Sequence, residues 1–96
     1  MKKIKSYVIA RSSFGYPIEI NIALPLDSQI LSVELLGSEI LVHAAVDLSV
    51  SLHNVKFFIV NGSMDLWFDN FDVKFLGIVR VDPSLVFHVF YSWWDR

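Results

Sequence analysis

The sequence contains no cysteine, which excludes a disulfide framework, a thiolate zinc site and a thiol nucleophile. Charge is scarce as well: 19% of the 96 residues are Asp, Glu, Lys or Arg, against about 25% in an average soluble domain. The formal net charge is −2, so the basic excess of a DNA- or RNA-binding module is missing, and a nucleic-acid polymer is not the expected partner. Glycine and proline number only 4 and 3, and no linker or low-complexity tract stands out. Long hydrophobic runs are missing too. The longest uncharged stretch near the end, residues 83–94, falls well short of the ~20 residues that cross a bilayer. Met1-Lys2-Lys3-Ile4-Lys5 has the basic start of a signal peptide, but no apolar segment of that length follows before Arg11. These absences predict a cytoplasmic protein without membrane contact, forming a single domain over residues 1–96.

What is abundant is apolar surface: 54% of the residues are hydrophobic and 15% aromatic. A domain of this size buries only about 60–65% of the surface its unfolded chain exposes. The surplus predicts a second destination besides the monomer core, namely a subunit interface or a ligand pocket. A homo-oligomer is therefore expected. The Trp93-Trp94 pair points the same way, because a large aromatic side chain gains a few kcal/mol, about 1.5–3, on leaving water. Docking on a neighbouring subunit or folding back on its own sheet would both cover it.

Period-2 alternation dominates the chain. Ile18, Ile20, Ile22 and Leu24 alternate with Glu19, Asn21 and Ala23 between Pro17 and Pro25. Leu31, Val33 and Leu35 lead to Gly37-Ser38, and Ile40, Val42, Ala44 and Val46 return. That pattern predicts a β-hairpin closed by a tight II′-like turn. Residues 55–60 are apolar on both faces apart from Lys56, as in a strand covered on each side. Val73 to Val81 and Leu85 to Tyr91 predict two more strands, joined at Asp82-Pro83-Ser84, where proline pre-sets a type I turn. A first strand over residues 3–10 completes the set, while residues 62–71 fit one turn of helix or an irregular loop. The expected fold is all-β, a mainly antiparallel sandwich or barrel-like domain of about seven strands. Its core is expected from Ile18, Ile20, Ile22, Val33, Leu35, Val42, Ala44, Phe57, Ile59, Phe87 and Val89.

Chemistry-bearing motifs are sparse. His43 and His88 would converge if their strands paired, but no H-x-H or H-E-x-x-H spacing supplies further zinc ligands, so structural roles are expected and no metal. His53 falls in the polar stretch 49–54 and reads as a loop residue. Asp65, Asp69 and Asp72 lack the alternation and glycine of a calcium loop, and no apolar pocket is evident that would raise one carboxyl pKa for catalysis. No G-x-S-x-G elbow, P-loop or G-x-G-x-x-G occurs, and no serine stands beside a histidine as a nucleophile would. The chain therefore reads as a non-enzyme without a cofactor. Two segments invite a ligand. Residues 11–16 combine Arg11, Ser12, Ser13, Gly15 and the aromatics Phe14 and Tyr16: an ordinary hairpin loop, or one that grips a phosphate while an aromatic stacks on a base. Trp67, Phe68 and Phe71 form a stacking platform or a lid, over a neighbouring subunit or over the chain's own core.

Three stretches read together carry a resemblance: residues 23–33 (ALPLDSQILSV) leading to Val46-Asp47, residues 55–63, and residues 75–79 (FLGIV) leading to residues 85–90 (LVFHVF). In order and spacing they resemble a small domain family of bacteria and their phages. Its pattern runs leucine-proline, ILSV, a hairpin ending in valine-aspartate, F-x-I-x-G-T-G, YIGTV and a closing LVxHVFE. Here Asn61-Gly62-Ser63 replaces the glycine-threonine-glycine turn, His43 stands where tryptophan is common, and a Tyr-Ser-Trp-Trp tail extends the end. Small phage proteins of this build are similar to immune-evasion sponges, which oligomerise and sequester cyclic nucleotide signals of host defence. The resemblance implies such a non-enzymatic sponge in the host cytoplasm. Arg11, Ser13 and Arg80 are then the candidates for phosphate, and Tyr16, Trp67 and Phe68 for stacking. The alternative is a structural or protein-interaction β domain of a phage accessory protein with no small-molecule ligand. An enzyme using the acidic loop ranks below both.

Overall fold

Successive side chains of a strand point to opposite faces, and the described residues form seven strands. The computed structural model describes residues 1–11, 16, 19–62, 66, 68 and 73–93. Its strands are β1 (Lys3–Arg11), β2 (Glu19–Pro25), β3 (Gln29–Leu36), β4 (Glu39–Val46), β5 (Leu52–Asn61), β6 (Lys74–Asp82) and β7 (Leu85–Trp93). They form two antiparallel sheets, ordered β1-β4-β3 and β2-β5-β7-β6. The all-β sandwich expected from the alternation is the observed architecture. His53, expected in a loop, lies in β5 instead. It pairs with the buried Leu24 of β2 and shares the face of Val55 and Phe57, so the strand extends past its apolar part. The helix-or-loop segment 62–71 falls mostly outside the described residues.

The inner faces meet in one core. Ile40, Val42 and Ala44 of β4 pack with Val55, Phe57 and Ile59 of β5 and with Phe87 and Val89 of β7, all buried. Ile20, Ile22, Val33 and Leu35 pack against this cluster while keeping some exposure. Each belongs to β2 or β3, strands at the sheet margins. Ile18 lies outside the described residues. β5 reads as apolar on both faces because both are covered: Phe57 and Ile59 face the core, whereas Phe58 and Val60 are buried on the other side. There Phe58 lies 4.4 Å, ring to ring, from Phe68, which also packs 5.2 Å from Phe90.

Turn chemistry fixes the registers. Leu36 pairs with Glu39 across Gly37-Ser38. Gly37 has φ +61°, and Ser38 is not among the described residues of positive φ. Positive φ at the first central position alone is what a II′ hairpin turn requires. At Pro83-Ser84, Asp82 Oδ1 accepts hydrogen bonds from both the backbone N–H and the hydroxyl of Ser84, each at 2.8 Å. Asp47 Oδ1 does the same for Ser49, at 3.0 Å and 2.6 Å.

These bonds, the serine hydroxyl first and the backbone N–H second, hold both carboxyls below their ordinary value of 3.8. A folded pKa below the unfolded one stabilises the fold above the unfolded pKa and is lost as pH falls through the folded pKa. The melting temperature should therefore drop on acidification below about pH 4. An Asp47→Ala/Asp82→Ala double variant should show a shallower acid limb in a pH series of thermal melts. An equally steep limb would mean the two turns do not carry the acid sensitivity.

Candidate functional site

The β2–β3 turn builds one wall of a pocket. Pro25 ends β2, and Ser28 N–H donates to the Pro25 carbonyl at 3.1 Å. The Ser28 hydroxyl donates to the same oxygen at 2.5 Å, so its proton is already used and its lone pairs remain for a ligand. Asp27 takes the left-handed conformation, φ +63°, which aspartate tolerates better than most residues. Lys2 Nζ donates to its carbonyl at 2.7 Å. β3 then starts at Gln29 and Ile30. The facing wall comes from the other sheet, where Lys74 of β6 pairs with Tyr91 of β7. Paired residues share a sheet face, so Lys74 lies on the face of Tyr91, which packs on the core with Trp93.

Between these walls lies a pocket of about 250 Å³ lined by Ser28, Gln29, Ile30, Lys74, Tyr91, Ser92 and Trp93. It combines one ammonium, two aromatic rings and an amide. Among the described residues the titratable groups of its lining are Lys74 and Tyr91, which offer charge and stacking, with no carboxylate or imidazole among them for proton transfer.

The residues singled out from the sequence lie elsewhere. Ile30 and Lys74 share the pocket, and Val33 meets Gly77 further along. β3 and β6 therefore run side by side in one direction, ending together at Leu36 and Asp82. Arg11 sits at that far end, its Nε donating to Glu39 Oε2 at 2.8 Å beside the Gly37-Ser38 turn. Arg80, exposed, pairs with Val86 close to the Pro83-Ser84 turn. The Tyr16 ring packs 5.0 Å from Phe87 near the same turn. Its hydroxyl oxygen is buried with no hydrogen-bond partner among the described residues. Arg11, Tyr16 and Arg80 thus share an end of the sandwich, but no described contact joins them. Phe68 is spent as a lid on Phe58 and Phe90. Ser13 and Trp67, like Asp65, Asp69 and Asp72, lie outside the described residues.

The histidines also resolve differently. His43 is on β4 and His88 on β7, strands of different sheets, and they do not converge. His88 packs 6.1 Å from Phe75, ring to ring. His43 instead meets a serine, which the sequence order hid: Ser6 Oγ lies 2.7 Å from His43 Nδ1, although the two are 37 positions apart. Glu34 Oε2 contacts the other ring nitrogen, Nε2. No group of histidine and acidic residues able to hold a metal ion occurs among the described residues. Compared with protein-family models, curated proteins and solved structures, the chain matches none.

Proposed function

We propose that the chain is a binding domain that takes up a cyclic nucleotide signal and sequesters it, non-enzymatic toward that ligand, as sponge-type phage proteins do. The observation that carries this reading is the pocket in which Lys74 stands beside Tyr91 and Trp93. An ammonium suits a phosphate oxygen, and the rings offer a base a stacking surface worth about 1–3 kcal/mol. Gln29 can both donate to and accept from a base edge. The volume, about 250 Å³, lies just under the ~300–1,000 Å³ of drug-sized sites. It suits one base with its phosphate, so a two-base cyclic ligand would be shared between two copies. This size argument also supports the homo-oligomer. The second reading, an interaction domain without a ligand, is favoured by Phe75 and Ile78, which are 54% and 55% exposed on the outer face of the four-stranded sheet.

The test is thermal-shift and calorimetric screening against cyclic mono-, di- and trinucleotides and cyclic ADP-ribose variants. Ligand at 100 times its Kd should stabilise the fold by about 2.7 kcal/mol, and it should be recovered unchanged after heat denaturation. Lys74→Met should weaken binding about tenfold, the scale of a charge-assisted hydrogen bond of roughly 1.5 kcal/mol. Arg11→Ala should leave binding unchanged, because that guanidinium is paired with Glu39 away from the pocket. A panel in which no nucleotide moves the melting curve would overturn the sponge in favour of the interaction domain.

A further inference from the structure

The outer face of the three-stranded sheet carries a row of three side chains from three strands: Ser6 on β1, His43 on β4 and Glu34 on β3. Ser6 pairs directly with His43, while Glu34, paired with Leu41, reaches it diagonally. A carboxylate only accepts hydrogen bonds, so with Glu34 ionised the Nε2 of His43 carries a proton. In neutral His43 that leaves Nδ1 as the acceptor, and the Ser6 hydroxyl donates to it. This is the proton connectivity of a serine–histidine–carboxylate relay, with the two ring nitrogens exchanged; such relays are defined by roles rather than by sequence position. Ser6 is exposed, whereas the His43 side chain is only 22% exposed. The nucleophile is therefore open to solvent while its base is held between the flanking strands.

We propose that Ser6 is a nucleophilic serine, activated by His43 and positioned through Glu34, that accepts the acyl group of uncharged acyl esters. The surroundings decide the substrate class. Along the same face, Ile4 and Val8 flank Ser6, Leu41 and Ala45 flank His43, and Leu36 lies beyond Glu34. Ile4, next to Ser6 on the same face, is 72% exposed, so an apolar acyl chain has surface to lie on. The Glu34 carboxylate at the β3 end of the row disfavours an anionic substrate such as a phosphate ester. In the first step Ser6 Oγ bonds to the ester carbonyl carbon as His43 Nδ1 takes the hydroxyl proton. The C–O bond to the alcohol then breaks, and Nδ1 returns that proton to the departing alkoxide. The acyl group remains on Ser6 Oγ until water, deprotonated by Nδ1, releases it as the acid and restores the serine. Ser32, paired with His43 on β3, is a further hydroxyl on this face, on the side of His43 away from Ser6.

The test uses the full chain, a fluorophosphonate probe and p-nitrophenyl acetate. Wild type should be labelled stoichiometrically, with the adduct mapped to the peptide containing Ser6, and Ser6→Ala should abolish that adduct. His43→Gln should slow labelling about 100-fold, the lower end of a general base's contribution. Glu34→Gln, which keeps shape but removes charge, should slow it by a smaller factor. Circular dichroism and melting curves confirm that each variant is folded. An exposed serine that merely bridges two strands gives the opposite result: no mapped Ser6 adduct, or labelling as fast in folded His43→Gln as in wild type. Either outcome overturns the proposal. Neither bears on the pocket, which faces the other side of the sheet and is tested by nucleotide binding.

Discussion

Phe57→Ala is expected to destabilise the fold by about 3–5 kcal/mol, the range for removing a buried aromatic ring from a core that collapses only partly. Phe57 is fully buried on β5, an interior strand, and its ring lies 6.3 Å from that of Tyr91 on the neighbouring strand. Both sheets close over it, so little can move in to fill the space. A domain of this size has a total stability of about 5–14 kcal/mol. Each kcal/mol shifts its melting temperature by about 4–8 °C, so the drop should be about 12–40 °C. Urea denaturation reads the same loss as a lower midpoint. Phe75→Ala is the matched control: its ring is 54% exposed, resting against Phe90 and His88 on the outer face. It should cost a small fraction of the Phe57 value. Equal losses at the two positions would mean that the two-layer core is not where the fold's stability resides.

That contrast also marks how far the sequence could be read. Alternation identified which side of each strand is apolar, because side-chain direction has a period of two. Ile20, Ile22, Val42, Ala44, Phe57, Ile59, Phe87 and Val89 were legible as core for that reason. The Gly37-Ser38 turn was legible because its chemistry is local. Alternation does not say which strand lies beside which. His43 and His88 look equivalent in sequence, yet the topology puts them on different sheets. Ser6 meets His43 only through the β1–β4 register. The pocket was hidden for the same reason. Lys74 reads as the polar member of an alternating strand, and only its pairing with Tyr91 turns it toward the space between the sheets. Arg11 carried a signal as a basic residue at a loop, but its nearest acid, Glu39, is supplied by a strand 28 positions later. Aromatics were ambiguous in another way. Tyr16 and Phe68 looked like ligand contacts, and both pack on other rings of the same chain.

Gly77→Leu should cost about 1–3 kcal/mol, the usual penalty for forcing extra methylenes into a packed interior. The position lies on β6 just after a register shift between Phe75 and Gly77, and a Cβ there would come to 3.0 Å from Val33 Cγ1 on β3. The glycine is required by close approach of two strands from different sheets, so the cost is steric rather than conformational. Alanine at this position needs Val33 to yield by only a few tenths of an ångström, and leucine needs the strands to part. Removing the obstacle should restore what was lost. Val33→Ala alone leaves a small void, but combined with Gly77→Leu it should recover stability, giving a favourable coupling of about 1 kcal/mol or more in a double-mutant cycle. Val33 and Gly77 also sit beside the pair Ile30 and Lys74, which open onto the pocket. Parting the strands at Gly77 should therefore weaken nucleotide binding in Gly77→Leu without altering any lining residue, and the Val33→Ala partner should recover it together with stability. Additive stabilities in the cycle would show that β3 and β6 do not press on each other there. Stability recovered without binding would separate the pocket from the seam that frames it.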